Sequence, residues 1–180
     1  MLEKIIDNTS EYIDSMPKKE RKKYGQFFTS IETARYMAEL FEIPQNQDKI
    51  SLLDAGAGSG ILSCAMIERL EHIEGVKKVE VLCYETDENV MPLLQKNLNL
   101  AKEFSSKEVE FVIKEDNYIL SQYLDFNYMV GGNFNPPKYD IVIGNPPYMK
   151  IPKEAPEAKA MPDICYGAPN MYFIFAAMGL

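Results

Sequence analysis

A short apolar run, Ile50-Ser51-Leu52-Leu53, passes directly into Asp54-Ala55-Gly56-Ala57-Gly58-Ser59-Gly60, and a helical pattern starts at Ile61. A strand that turns through three glycines into a helix is the first half of a crossover that returns the chain to a neighbouring parallel strand. The turn then falls at the carboxyl edge of the sheet, where open α/β folds bind nucleotide-like ligands. The spacing is Gly-x-Gly-x-Gly, not the Gly-x-Gly-x-x-Gly of dinucleotide sites, and an acid precedes it, so no pyrophosphate is expected. Asp54 suits a cationic or amine-bearing ligand, and the glycines let an adenosine moiety approach the backbone closely. The plain alternative is a tight β-to-α turn without a ligand.

The rest of the chain repeats the alternation. Val79 to Tyr84, Val109 to Ile113 and Tyr139 to Gly144 read as further strands, and Ile61 to Ile73 and Val90 to Phe104 as helices between them. Right-handed crossovers and a mainly parallel sheet covered on both faces follow, a Rossmann-like doubly wound α/β domain. Ahead of it, Leu2, Ile5, Ile6, Tyr12, Ile13 and Met16 recur at helical spacing in a segment that ends at Pro17. The basic run Lys18-Lys19-Glu20-Arg21-Lys22-Lys23 reads as a solvated linker, so residues 1–23 form an N-terminal helical extension and residues 24–180 the main domain. Thr29-x-x-Glu32 has the capping-box pattern for a second helix, with Ile31, Ala34, Ala38 and Phe41 on one face and a stop before Pro44. A short helix and a flexible loop are expected between Asn117 and Lys138. The segment from Asn170 to Met178 is apolar on nearly every side and is expected as a helix buried against the sheet.

Strand ends gather polar residues at one rim. Strand two ends in Cys83-Tyr84-Glu85-Thr86-Asp87, with Glu85 25 residues beyond Gly60, near the separation of an acid that binds ribose hydroxyls. Asp87 reads as a helix cap. Strand three ends in Lys114-Glu115-Asp116-Asn117, which sets Asp116 to accept a hydrogen bond from an adenine amino group. Strand four runs into Asn145-Pro146-Pro147-Tyr148. Two prolines deny this turn its N–H donors, so the Asn145 amide oxygen and a bare carbonyl face whatever lies above the sheet, and Tyr148 adds a stacking face. An NH2 group on an aromatic base or an amide needs that set. Alone, the tetrapeptide is also a strand-terminating turn; a second Asn135-Pro136-Pro137 precedes the strand and reads as a loop. Three acids and this motif on one rim describe a pocket for an adenosine bearing a positive centre.

Composition narrows the partners. A net charge of −8 argues against these 180 residues gripping nucleic acid unaided, because phosphate binding rests on Lys and Arg. No run approaches the ~20 apolar residues of a membrane span, and the first residues lack a signal peptide's apolar centre, so a cytoplasmic protein is expected. Cys64, Cys83 and Cys165 form no Cys-x-x-Cys pair, and His72 is the single histidine, so no metal site is expected. Cys64 and Cys83 read as core fillers and His72 as a solvated helix-end side chain.

Asp54 to Gly60, Glu85, Asp116 and Asn145 to Tyr148 resemble the ordered motifs of S-adenosylmethionine-dependent methyltransferases acting on amino groups. Gly25-Gln26-Phe27-Phe28-Thr29 and Asn170-Met171-Tyr172-Phe173-Ile174-Phe175 are similar to segments of the adenine-specific DNA methyltransferases of restriction–modification systems, in the subgroup with cofactor motifs first. The resemblance spans Tyr24 to Leu180. It implies S-adenosylmethionine as cofactor, with Thr29 and Phe27 closing over its methionine end, Asp54, Gly56 and Gly58 lining it, Glu85 on the ribose and Asp116 on the adenine. It implies that Asn145 and Pro146 bind the amino group of a flipped adenine, that Tyr148 stacks on it, and that Pro147 completes the substrate site. Phe28 reads as core. Such enzymes continue into further strands and a target-recognition region, so an incomplete methyltransferase fold is expected, with double-stranded DNA held through regions outside this chain and strand four left without its usual neighbour, an exposed edge open to self-association. Two alternatives stay open: an RNA or protein-glutamine amino methyltransferase, and a remnant that binds S-adenosylmethionine without turnover.

Overall fold

The fold is that of a computed structural model, which describes residues 1–17, 28–43, 46–130, 138–165, 167 and 169–179, with the backbone alone at 125–130. The basic run Lys18 to Lys23, the segment Gly25 to Phe27 and Asn135-Pro136-Pro137 lie outside the described residues. Four strands, β1 (Lys49–Asp54), β2 (Lys78–Tyr84), β3 (Glu108–Lys114) and β4 (Ile141–Ile143), form one parallel sheet in the order β3-β2-β1-β4. Helices α3 (Ile61–Leu70) and α4 (Met91–Phe104) carry the chain outward from β1 to β2 and β3, and α5 (Tyr118–Val130) carries it back past β1 to β4. Strand order therefore reverses between β1 and β4. That reversal opens a crevice at their carboxyl ends, the place where such sheets bind ligands.

Strand alternation sorts the core into two layers. Ile50 and Leu52 of β1 point to one face, with Val79, Val81 and Cys83 of β2 and Ile141 and Ile143 of β4, under α3 and α4. The opening helix α1 (Leu2–Ser15) and α2 (Ile31–Glu39) pack over α3, and Leu2, Ile5, Ala34 and Ala38 are buried in the same core. Leu53 points to the other face, where Tyr118 and Ile119 of α5, Met161 beyond α6 (Pro156–Ala160) and Ile174 of α7 (Met171–Met178) form a smaller cluster. Cys64 and Cys83 are buried, as their apolar surroundings predict, and His72 is exposed.

Three elements differ from the sequence reading. The cap of α2 is Ser30 and not Thr29: the Ser30 hydroxyl accepts from the Thr33 N–H at 3.3 Å, while the Thr29 hydroxyl is turned toward Asn145. β4 begins at Ile141 because the Asp140 carboxylate takes the Ser51 N–H at 2.7 Å, replacing a backbone rung of the ladder with a side chain. α7 is less covered than its composition suggests, with Ile174 buried and Phe173 59% exposed. No described helix is long and apolar enough to cross a membrane.

Candidate active site

The crevice holds a cavity of about 200 Å³ whose wall includes Thr29, Gly56, Gly58, Glu85, Asp116 and Asn145-Pro146-Pro147-Tyr148. All of these come from segments far apart in sequence and converge because each follows a strand or precedes α2. Asp54 is the exception among the anticipated residues. It lies beneath the floor, fully buried, with Oδ2 accepting from the Ser63 hydroxyl at 2.8 Å and Oδ1 unpartnered among the described residues. Burial pushes its carboxyl up to about 7, against the pull of the Ser63 hydrogen bond and with the help of the Glu85 charge.

The glycine-rich turn forms the floor. Gly58 and Gly60 take φ of 54° and 78°, the left-handed region that side chains avoid. At Gly60 a Cβ would also stand 2.7 Å from Leu94 Cδ1, so that glycine lets α3 and α4 approach as well as turning the chain. Across the floor, the Glu85 carboxylate gathers three backbone N–H groups: Gly58 at 2.8 Å on Oε2, and Thr86 and Asp87 at 2.7 and 2.9 Å on Oε1. The acid thus binds the turn of β1 to the end of β2. A carboxylate offers about four lone-pair positions, so Oε2 keeps acceptor capacity toward the cavity. Asp116 is exposed at the far wall, and beside it Asn117 accepts from the Leu120 N–H at 3.1 Å and donates to Glu157 at 2.7 Å, which latches α6 to the rim. Asp87, expected as a cap, accepts from the Asn89 backbone at 2.9 Å just ahead of α4.

At the mouth, Asn145 donates through Nδ2 to the Thr29 hydroxyl at 3.2 Å. Among the described residues, no hydrogen bond engages Asn145 Oδ1 or the Pro146 carbonyl. The Tyr148 ring is 65% exposed and stacks one face on Tyr172, with centroids 5.1 Å apart at 17°. That neighbour is held by an antiparallel bridge between Lys150 and Asn170, leaving the other face of Tyr148 open. Two acceptors and one open ring face is an arrangement for a planar group bearing an amino substituent.

Sequence reading missed several wall residues. Phe28 lines the cavity and meets Tyr12 edge-on at 6.1 Å, so it is more than core. Phe175 lines it too, stacked on Tyr118 at 5.8 Å and 3.7 Å from where a Gly56 Cβ would lie. Asn117 was legible only as the neighbour of Asp116.

Sheet order, switch-point cavity, glycine floor and bracing acid define the class: a Rossmann-like fold of the class I methyltransferase kind. A solved structure from Listeria monocytogenes, assigned to the class I S-adenosylmethionine-dependent methyltransferases, shares it with a TM-score of 0.58 and 18% identity, over 88% of this chain and 46% of that one. Within that class the chain belongs to the N-6 DNA Methylase family, whose pattern matches residues 4–162. It is 32% identical over 183 residues to the Type II methyltransferase M.PstI of Providencia stuartii, covering 98% of this chain and 34% of the relative. The Type II methyltransferase M.BsuBI of Bacillus subtilis is 30% identical over 166 residues, covering 89% of this chain and 31% of the relative. The chain thus spans about a third of the length of these two curated relatives.

Proposed function

We propose that this chain carries the cofactor and catalytic part of a cytoplasmic restriction–modification methyltransferase that transfers a methyl group from S-adenosylmethionine to the 6-amino group of adenine in double-stranded DNA. The observation that carries the reading is the pair of acceptors that no described residue engages, Asn145 Oδ1 and the Pro146 carbonyl, beside the exposed Tyr148 ring at the mouth of a glycine-floored cavity. The residues present fit the cofactor: the turn offers close backbone approach, Glu85 would accept from a ribose hydroxyl, and Asp116, on the cavity wall, would accept from an adenine amino group. When bound, S-adenosylmethionine supplies an electrophilic methyl on a sulfonium centre.

The side chains do the orienting. An adenine turned out of the duplex stacks on Tyr148, worth roughly 1–3 kcal/mol, and Pro147 closes the turn that presents the ring. Asn145 Oδ1 and the Pro146 carbonyl accept the two N–H bonds of its amino group. Those bonds draw the nitrogen lone pair out of ring conjugation and aim it into the cavity, so positioning and electrostatics replace a strong base. Once methylated, the nitrogen is strongly acidic and releases one proton to solvent. Stacking alone does not cover unpairing, and with a net charge of −8 the phosphate contacts belong to other parts of the whole protein.

In the full-length protein, Asn145→Ala is expected to lower turnover by about a hundredfold or more while leaving S-adenosylmethionine affinity within about twofold. Glu85→Ala is expected to weaken cofactor binding first, by about tenfold or more, because it removes both a ribose acceptor and the brace of the turn. Calorimetric binding and tritiated methyl transfer to unmethylated DNA read the two effects. Unchanged turnover in Asn145→Ala, or methylation of ribosomal RNA or protein glutamine in place of DNA, overturns the assignment.

A further inference from the structure

Asn97 is a wholly buried polar side chain in the middle of α4, where an apolar residue would serve packing better. Its Nδ2 donates to the carbonyl of Ser59, inside the glycine-rich turn, at 2.8 Å. Its Oδ1 accepts from Nδ2 of Asn8, on α1, at 2.9 Å. The Asn97 amide therefore ties the floor of the cavity to the N-terminal helix, reaching Asn8 89 residues away in sequence. The same helix reaches the cavity a second way, because Tyr12 sets its ring edge-on against the wall residue Phe28. Asn8 and Tyr12 lie one helical turn apart, so both contacts leave from one face of α1.

We propose that α1 is a working part of the cofactor site, with Asn8 and Asn97 as positioning residues that hold the glycine-rich turn and Tyr12 as the seat of Phe28. The inference rests on the reading of this cavity as an S-adenosylmethionine site. The turn's geometry leaves little slack: two of its glycines sit in left-handed backbone, and Glu85 restrains the turn from the β2 side. Asn97 restrains it from the α4 side, through the carbonyl immediately before Gly60. A buried amide that lost Asn8 would keep one unsatisfied acceptor and relax toward whatever partner it could find, and the Ser59 carbonyl would move with it. Binding of a ligand that needs the turn in one shape must then favour the docked helix, and the docked helix must favour the ligand by the same factor.

The test uses the full-length protein and three variants, Asn8→Ala, Asn8→Gln and Glu3→Ala. Asn8→Ala removes the donor; Asn8→Gln keeps one; Glu3→Ala cuts the Arg35 pair at 2.8 Å, loosening α1 without touching the relay. Asn8→Ala is expected to weaken S-adenosylmethionine binding about three- to tenfold by calorimetry, with Asn8→Gln recovering most of the loss and Glu3→Ala staying near wild type. Hydrogen exchange supplies a readout that packing alone would not move. Amides of residues 56–60 are expected to exchange faster in Asn8→Ala even without ligand, and saturating S-adenosylmethionine is expected to slow exchange across residues 2–15 of the wild type. Equal affinity and equal exchange at 56–60 in wild type and Asn8→Ala overturn the relay. A wild type that binds no S-adenosylmethionine overturns the cofactor reading instead, while the ligand-free exchange at 56–60 still decides the relay.

Discussion

Asp54 closes β1 with its carboxyl sealed from solvent, one oxygen on Ser63 and the other without a partner among the described residues. Burial raises its pKa from the ordinary 3.8 to about 7, so the folded chain keeps this proton across a range in which the unfolded chain has released it. Where the folded state binds more protons, stability falls as pH rises; the fall runs through the window from about 4 to 7 and levels off above it. Asp54→Asn cannot ionise and is expected to lose that slope. The drop in unfolding free energy from pH 5 to pH 8 should shrink by on the order of 2 kcal/mol relative to wild type, read by urea unfolding at both values. Identical pH dependence in the two proteins would show that Asp54 ionises freely in the fold. Asp54 lies beneath the site and outside the cavity wall. Its position at the strand end suggested a ligand contact, but strand alternation turns its side chain down toward Ser63 and α3.

Helix α7 makes the corresponding case for elements. Asn170 caps it, with Oδ1 accepting from the Tyr172 N–H at 3.0 Å, and Tyr172 carries the stack beneath Tyr148. Asn170→Ala is expected to cost about 1 kcal/mol in unfolding free energy. It is also expected to reduce the near-ultraviolet tyrosine signal, because the stacked pair loses its fixed lower ring, while Asn170→Asp retains both. A stability loss with an unchanged tyrosine signal would separate the cap from the stack. Most elements of this sheet were legible in the sequence because strand runs are apolar, glycines punctuate the first crossover, α3 is an apolar run of helical length, and α4 keeps one buried face at helical period. What escaped depended on side chains reaching across the fold. Ser30 displaces Thr29 as a cap because Asn145, 116 residues away, takes the Thr29 hydroxyl. β4 is short because Asp140 reaches Ser51, 89 residues away. Phe28 and Phe175 look like core by composition, and only the switch point between β1 and β4 turns them into cavity wall. The motif residues Glu85, Asp116 and Asn145 to Tyr148 were legible because each follows a strand directly, which fixes the rim they occupy.

At the scale of the whole molecule, β3 and the three-residue β4 are the outer strands of the sheet among the described residues, and no described strand pairs with their outer backbone donors and acceptors. On β3 Val112 is 57% exposed, on a face it shares with the charged Glu108, Glu110 and Lys114 and beside the partly buried Leu82 and Tyr139. The first core, under α1 to α4, buries the other face of the same strands, so the exposed patch is not a sign of a loose fold but of a sheet covered unevenly. An outer strand whose backbone groups lack a neighbour, with an exposed valine at its centre, can pair with a second copy. The 180-residue chain is therefore expected to self-associate, with a sedimentation coefficient that rises with protein concentration. Val112→Lys, which puts a charge on the edge strand at an exposed position, is expected to weaken the association without lowering the melting temperature. A chain that sediments as a strict monomer at every concentration tested would overturn pairing through the edge, and association untouched by Val112→Lys would move it from β3 to the β4 side.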